Sequence, residues 1–235
     1  MSSTIIIGLS GKKRSGKDTV AARLVEAHGF RRLAFADRLK RLAADLDPWL
    51  PVSYPDQTDN CDPEALRQLS ELIEEYGSEG AKEIPAVRQW YKDLGEKVRD
   101  DVDPGVWIRP VEADIEEAIL ASYIADAGGI DQAVRVVVSD VRFPNEADMI
   151  LRQGGQVWRI ERPDTDDHED THSSETALDG WPFDAWLHNV GTIYALGDMA
   201  LWALQAFERN VGRGAHWWPG EFPRGVAGAL LRHRP

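Results

Sequence analysis

Residues 5 to 28 constrain this chain more than any other stretch. Ile5, Ile6 and Ile7 form a β-branched run that opens into Gly8-Leu9-Ser10-Gly11-Lys12-Lys13-Arg14-Ser15-Gly16-Lys17-Asp18-Thr19. An amphipathic stretch from Val20 to His28 follows, and Gly29 is placed to stop it. Strand, glycine-rich turn and helix, in that order, are the context a phosphate-binding loop requires. Glycines at 11 and 16 permit tight backbone geometry and close approach of an anion. Successive N–H groups and the positive end of the helix can hold a phosphate, and Lys17 can reach the outer ones. Gly11, Lys13, Ser15, Gly16 and Lys17 are therefore candidate nucleotide-binding positions.

The motif has one irregularity. The usual pattern places Ser or Thr directly after the lysine, where its hydroxyl meets magnesium. Here Asp18 holds that position and Thr19 comes one residue later. Asp18 could touch the ion, act through water, or simply occupy the acid-friendly first turn of a helix. Thr19 is the other candidate, and both stand as possible metal ligands.

Composition narrows the class. The 235 residues give room for one domain with an insertion, and 43% hydrophobic residues suffice for a real core. Lys and Arg number 27 against 40 Asp and Glu, a net charge of −13, which argues against a general nucleic-acid binder. The single cysteine, Cys61, excludes an intrachain disulfide framework and a cysteine-rich zinc site. No apolar run is long enough to span a membrane, and the N-terminus lacks a signal-peptide layout, so a cytoplasmic protein is expected.

Along the chain, strands alternate with helices. Phe30 to Phe35 reads as a second strand and Ala36 to Ala43 as a helix. Residues 45 to 63, with four prolines, read as a long connection. Pro63 to Tyr76 reads as a helix broken by Gly77 to Gly80, and Pro85 to about Arg99 as another, with Val87, Trp90, Tyr91, Leu94 and Val98 on its inner face. A helix from Val111 to Ala127 follows. Arg135 to Asp140 is the clearest buried parallel strand. A helix from Asn145 to Gln153, a strand from Gln156 to Glu161, a short strand from Phe183 to His188 and a helix from Ile193 to Phe207 complete the pattern. It predicts an α/β fold: a three-layer phosphate-loop NTPase architecture with a mostly parallel sheet, a helical substrate-binding insertion and a lid. The expected division is a nucleotide-binding core from 1–44 and 130–208, a cap from 45–129, a lid from 162–180 and an irregular tail from 209–235.

Ligands should lie beyond the carboxyl ends of the strands. Asp37, Asp140, Arg142 and Arg162 fall there. An acid at the end of a strand neighbouring the loop commonly holds magnesium, which makes Asp140 a candidate ligand. Its alternative is a turn cap. Arg142 suits a phosphate or carboxylate; its alternative is an ion pair with Asp140 or Glu146. Arg88, Lys92, Lys97 and Arg99 line the cap helix and could meet an acceptor's phosphate, or be ordinary exposed cations. Trp90, Tyr91 and Trp107 are core candidates, though one could stack on a base. In the lid, Arg159 or Arg162 could neutralise a transferred phosphoryl group. His168 and His172 are four apart, a metal spacing only on a helix, and this stretch reads as loop. Neither an acyl-transfer elbow nor a dinucleotide fingerprint is present.

Taken together, several blocks resemble the bacteriophage deoxynucleoside monophosphate kinases. The phosphate loop from Ile7 to Thr19 is one. Others are Leu33-Ala34-Phe35-Ala36-Asp37-Arg38-Leu39-Lys40, Leu94-Gly95 with Arg99 and Trp107, and Ser139-Asp140-Val141-Arg142-Phe143-Pro144-Asn145-Glu146. His172-Ser173-Ser174-Glu175 and Asn189-Val190-Gly191-Thr192 also match, so the resemblance covers most of residues 5 to 208. It implies ATP and magnesium as cofactors, deoxynucleoside monophosphates as acceptors and diphosphates as products. It also implies the Lys17-Asp18-Thr19 ending. It favours Lys40, Arg88, Arg99 and Arg142 among the basic positions, and brings Asp37, Trp107, Glu146 and Glu175 forward as substrate-binding candidates. Catalytic weight falls on Lys17, Asp140, Arg142 and a lid arginine. If phage-encoded, the protein would work in the host cytoplasm; a homodimer stays open. Residues 45 to 86 and the tail match no block, which leaves base selectivity open. Two alternatives stand beside this one: an ATP-binding assembly module without acceptor-kinase activity, and a kinase for another small phosphorylated metabolite.

Overall fold

The computed structural model describes residues 4–52, 65–127, 134–163 and 176–211. Contacts divide the chain into two units, Met1–Ala34 with Val111–Pro235, and Phe35–Pro110. These boundaries differ from the expected 45–129 cap. Helix Phe35–Leu46 packs with helix Pro85–Lys97 in the second unit, while most of the long helix Ile108–Ala127 falls to the first.

The first unit is built on β1 (Thr4–Ser10), α1 (Lys17–His28) and β2 (Arg31–Leu33). A five-stranded sheet carries these strands together with three later ones, β5 (Val134–Val138), β6 (Gln156–Glu161) and β7 (Ala185–His188). Its order is β2-β5-β1-β6-β7, and all pairings are parallel. The β-branched run of β1 and the Val134–Val138 run are buried on both faces, which is why they read as continuous apolar stretches. On one face Ile5, Ile7 and Leu9 pack with Val20 and Leu24 of α1. The last helix, Ile193–Val211, adds Leu196, Ala200 and Leu204 to the same core. On the other face Gly8 lies under Ile150 of the helix Pro144–Arg152. Helices cover both sides of a parallel sheet, as the alternation of elements predicts. β1 is central, with β5 on one side and β6 on the other. The direction of strand addition reverses there, so the crevice at the head of β1 is the topological switch point where ligands of such sheets bind.

The second unit contains α2 (Phe35–Leu46), β3 (Trp49–Val52), β4 (Ala65–Gln68), α3 (Leu69–Ala81) and α4 (Pro85–Lys97). Leu50, Val52, Leu69, Leu72 and Val87 form its core. The reading of 45–63 as connection and of a helix from Pro63 is corrected here. Trp49–Val52 pairs antiparallel with Ala65–Gln68, and α3 starts only at Leu69. Leu50 and Val52 are buried while Trp49 and Pro51 are exposed, the alternation of a strand with one wet face. Proline is tolerated because a two-stranded sheet has only edges. Asp47 caps α3 from outside it, accepting from the Ser70 N–H at 2.7 Å and hydroxyl at 2.9 Å.

In chain order the remaining helices are α5 (Ile108–Ala127), α6 (Pro144–Arg152) and α7 (Ile193–Val211). Among the described residues no helix is long and apolar enough to cross a membrane.

Candidate active site

β1 continues to Ser10, so the loop proper runs from Gly11 to Gly16 and α1 starts at Lys17. Gly11 has φ 149° and Gly16 φ 109°, conformations that side-chain-bearing residues rarely adopt. A Cβ on Gly11 would collide with the Ile160 carbonyl, and one on Gly16 would lie 2.7 Å from Leu196 Cδ2. Both glycines are therefore required twice over, by angle and by space. Lys17 folds back over the loop and donates to the carbonyls of Gly11 at 2.5 Å and Lys12 at 2.7 Å. Ser15 is buried, and its hydroxyl has no hydrogen-bond partner among the described residues. Most buried polar atoms find a partner, so an orphaned hydroxyl inside this loop fits a site made for an anion's oxygens.

Asn189, just beyond β7, holds the loop from the far side. Its Nδ2 donates to the Ser15 carbonyl at 2.9 Å, and its own N–H donates to Glu161 O at 2.7 Å. Sequence reasoning did not single Asn189 out as a site residue. The signal was its place directly after the last strand, at the same sheet edge as the loop.

The turn after β5 is tied to the same edge. The Val141 N–H donates to Leu9 O at 3.0 Å, which fixes Asp140 and Arg142 beside the end of β1. Glu146 is buried and accepts the N–H groups of Arg142 at 2.7 Å and Phe143 at 3.1 Å, both on Oε2. It caps the start of α6 and fixes the backbone from which Arg142 projects. Burial, with Asp140 adding to it, pushes the Glu146 carboxyl up to about 8, against the pull of the two N–H groups and of Arg142. The neutral acid keeps an acceptor oxygen, so both hydrogen bonds survive protonation.

Arg159 lies within β6, in the strand expected from Gln156 to Glu161, and is 9% exposed. Its guanidinium donates to Ser10 Oγ at 3.4 Å and Asp179 Oδ1 at 3.1 Å, and sits 5.5 Å from the Phe183 ring centroid. This is a brace between β6, β1 and the segment around residue 179. Arg162 is exposed, one residue past β6, at the carboxyl edge. Asp18 is exposed and Thr19 half-buried in the first turn of α1. Lys13 is exposed at the loop tip.

The first unit thus gathers the loop, Asp18, Thr19, Asp140, Arg142, Glu146 and Arg162 at one edge of its sheet. Asp37, Lys40, Arg88, Arg99 and Trp107 belong to the second unit. Lys40 lies 3.4 Å from Glu79 Oε1 and 4.0 Å from Asp37 Oδ1. Arg88 is half-buried on α4. Arg88 and Arg99 do not lie on one continuous α-helix, as the expected helix from Pro85 to about Arg99 has them: α4 ends at Lys97, and Val98–Val102 winds as a π-helix. Arg99 there pairs with Asp100, Nε to Oδ1 at 2.8 Å. Trp107 donates its indole N–H to Gly95 O at 3.1 Å. Glu175, His168, His172, Cys61, most of the expected lid and nearly all of the tail lie outside the described residues.

Among the described residues no three His, Cys, Asp or Glu side chains cluster to hold a metal.

A central parallel sheet with a phosphate loop at its switch point defines an α/β protein of the phosphate-loop type. No protein-family model matches the chain. A protein of Acanthamoeba polyphaga mimivirus, provisionally named a deoxynucleotide monophosphate kinase, is 31% identical over 188 residues, covering 74% of this chain and 82% of the relative. The chain belongs to the deoxynucleotide monophosphate kinase family. Among solved structures, a dephospho-CoA kinase from Campylobacter jejuni aligns over 89% of this chain and 99% of its own, at TM-score 0.38 and 14% identity. A sugar kinase from Janibacter aligns over 87% and 95%, also at TM-score 0.38, with 15% identity.

Proposed function

We propose that this protein transfers the γ-phosphoryl group of ATP to a deoxynucleoside 5′-monophosphate, giving the diphosphate and ADP. The observation that carries it is the loop itself: two glycines in conformations only glycine readily takes, an orphaned Ser15 hydroxyl, and Lys17 at the start of α1. The family relationship supports the acceptor class.

Such a transfer asks little covalent chemistry of the protein; it asks for alignment and charge neutralisation. The loop N–H groups and Ser15 would bind the ATP phosphates. Lys17 would leave the Gly11 and Lys12 carbonyls and follow the charge that shifts onto the bridging oxygen. Asp18, Thr19 and Asp140 are the residues that would hold magnesium, which would supply charge neutralisation to the phosphates. Arg142, on a backbone fixed by Glu146, and exposed Arg162 are the cations suited to the transferred group. Lys40, Arg88 and Arg99, with Asp37 and Trp107, are the acceptor-binding candidates. A monophosphate oxygen is already ionised, so no general base is needed.

The test is ADP release, coupled to a reporter, with each of the four deoxynucleoside monophosphates. At least one is expected to stimulate ATP turnover well above the rate with ATP alone; stimulation by none would refute the proposal.

A further inference from the structure

The second unit holds a charge cluster that the kinase reading uses only in part. Lys40 on α2 and Lys82, directly after α3, aim their ammonium groups at one oxygen. Lys82 Nζ lies 2.6 Å and Lys40 Nζ 3.4 Å from Glu79 Oε1. Asp37 stands further off, 4.0 Å from Lys40. Two like charges brought this close repel, and a carboxylate between them is what offsets the repulsion. The titration of the groups reflects the crowding. Burial works to lower Lys40, but its contact with Lys82 and the carboxylates of Glu79 and Asp37 outweighs that and raises it. Lys82 is held below its ordinary value by burial and by the neighbouring Lys40. Tyr91 of α4 shares the cluster: burial raises its phenol, with Lys40 opposing and Glu79 reinforcing.

Glu79 is a weak occupant. Its side chain is 79% exposed, where water and salt screen its attraction to the lysines. It offers the two lysines a single shared oxygen. The backbone that carries it is bent at Gly77, with φ 71° and ψ 164°, a region open to glycine and almost nothing else. A Cβ there would meet no atom within 4 Å, so the glycine serves the bend and not a close approach. Gly80 follows directly after Glu79, so the carboxylate rides on a stretch with few side-chain restraints. A phosphate monoester has an oxygen for each ammonium and up to two charges, and is the better partner for both lysines.

We propose that Lys40 and Lys82 form a paired ammonium clasp for the phosphate of the acceptor nucleotide, with Glu79 as an internal competitor that the phosphate displaces. The anion site stands on the cluster; its assignment to the acceptor rests on the kinase reading above. Lys82 is the new residue, and it lies in the stretch that matches no block of the phage kinases.

Calorimetric titration of the full chain tests this, using inorganic phosphate, a deoxynucleoside 5′-monophosphate and the matching deoxynucleoside. Lys82→Ala is expected to weaken monophosphate binding about tenfold, the loss of one charge-assisted hydrogen bond. Lys82→Arg should restore most of it, and Glu79→Gln should tighten it severalfold. Binding of the deoxynucleoside should not change in any variant. In the turnover assay Lys82→Ala should raise the KM for the monophosphate while kcat and the KM for ATP stay near wild type. If Lys82→Ala and Glu79→Gln bind the monophosphate like wild type while turnover persists, the clasp is wrong and the kinase reading stands. If wild type neither binds nor turns over any monophosphate, the kinase reading fails and inorganic phosphate decides the clasp. Phosphate binding that Glu79→Gln strengthens and Lys82→Ala weakens sustains it; absence of phosphate binding in every variant ends it. Should Lys82→Ala fail to fold, Lys82→Gln with Glu79→Gln makes the same comparison.

Discussion

In the first unit the phosphate loop and its lysine are tied together through main-chain groups, whereas the lysine cluster of the second unit is held by side-chain carboxylates. Lys17 lies on two loop carbonyls, Arg142 springs from a backbone that Glu146 fixes, and Asn189 ties the loop through the Ser15 carbonyl. Lys40 and Lys82 meet Glu79, and Arg99 meets Asp100. Backbone-held groups sit on a parallel sheet buried on both faces, and they are pre-organised for charge that develops in one place. Groups held by exposed carboxylates exchange partners at little cost, which suits an arriving and departing acceptor. The contrast predicts that substitutions in the first unit act on kcat or on stability, and those in the second on KM.

The largest effect is expected from Lys17→Ala. The backbone anion site persists but the mobile cation is lost, so kcat should fall at least about 10²-fold, or ~2.7 kcal/mol. ATP binding should weaken less, and the fold should survive, since a half-buried lysine over the loop is not core. An unchanged kcat in folded protein would break the comparison at its strongest point. Next comes Arg159→Ala. Loss of the brace to Ser10, Asp179 and Phe183 should lower unfolding free energy by about 1–3 kcal/mol, read as a lower urea midpoint. Turnover of the folded fraction should stay within a few-fold of wild type; a severe kcat loss with unchanged stability would return Arg159 to the chemistry.

The last effect is read in the pH profile of stability and concerns Glu146. Its folded value near 8 lies above the ordinary 4.5, so its contribution is fully present below about pH 4.5 and is lost as pH rises through about 8. Stability should decline across that window by up to about 1.4 kcal/mol per pH unit, and Glu146→Gln should flatten the profile. A wild-type profile that rises with pH across the same window would show the carboxylate ionised in the fold.

The same contrast governs what the sequence discloses. Ile5 to Thr19 announces its structure, because glycine angles and a buried strand dictate residue types locally. Arg135 to Asp140 does so for the same reason, and the places of Asp140 and Arg142 follow from it. Arg159 misleads because burial depends on Asp179 and Phe183, which lie far along the chain. The Trp49–Val52 strand is hidden by Pro51, and its partner by a leucine spacing that also suits a helix. Lys82 gives no signal at all: its relation to Lys40 is a meeting across 42 residues, visible only once α2 and α3 are folded. Asn189 falls between these cases, marked by its position after a strand but not by its residue type.

The proposed reaction moves a phosphoryl group from ATP to a deoxynucleoside monophosphate. The most direct test is label transfer. Protein is incubated with ATP labelled at the γ-phosphorus, magnesium and each of the four deoxynucleoside monophosphates, and the products are separated by chromatography. Label is expected in at least one deoxynucleoside diphosphate, dependent on the monophosphate and lost in Lys17→Ala. Label that stays in ATP or appears only as inorganic phosphate with all four would contradict the account.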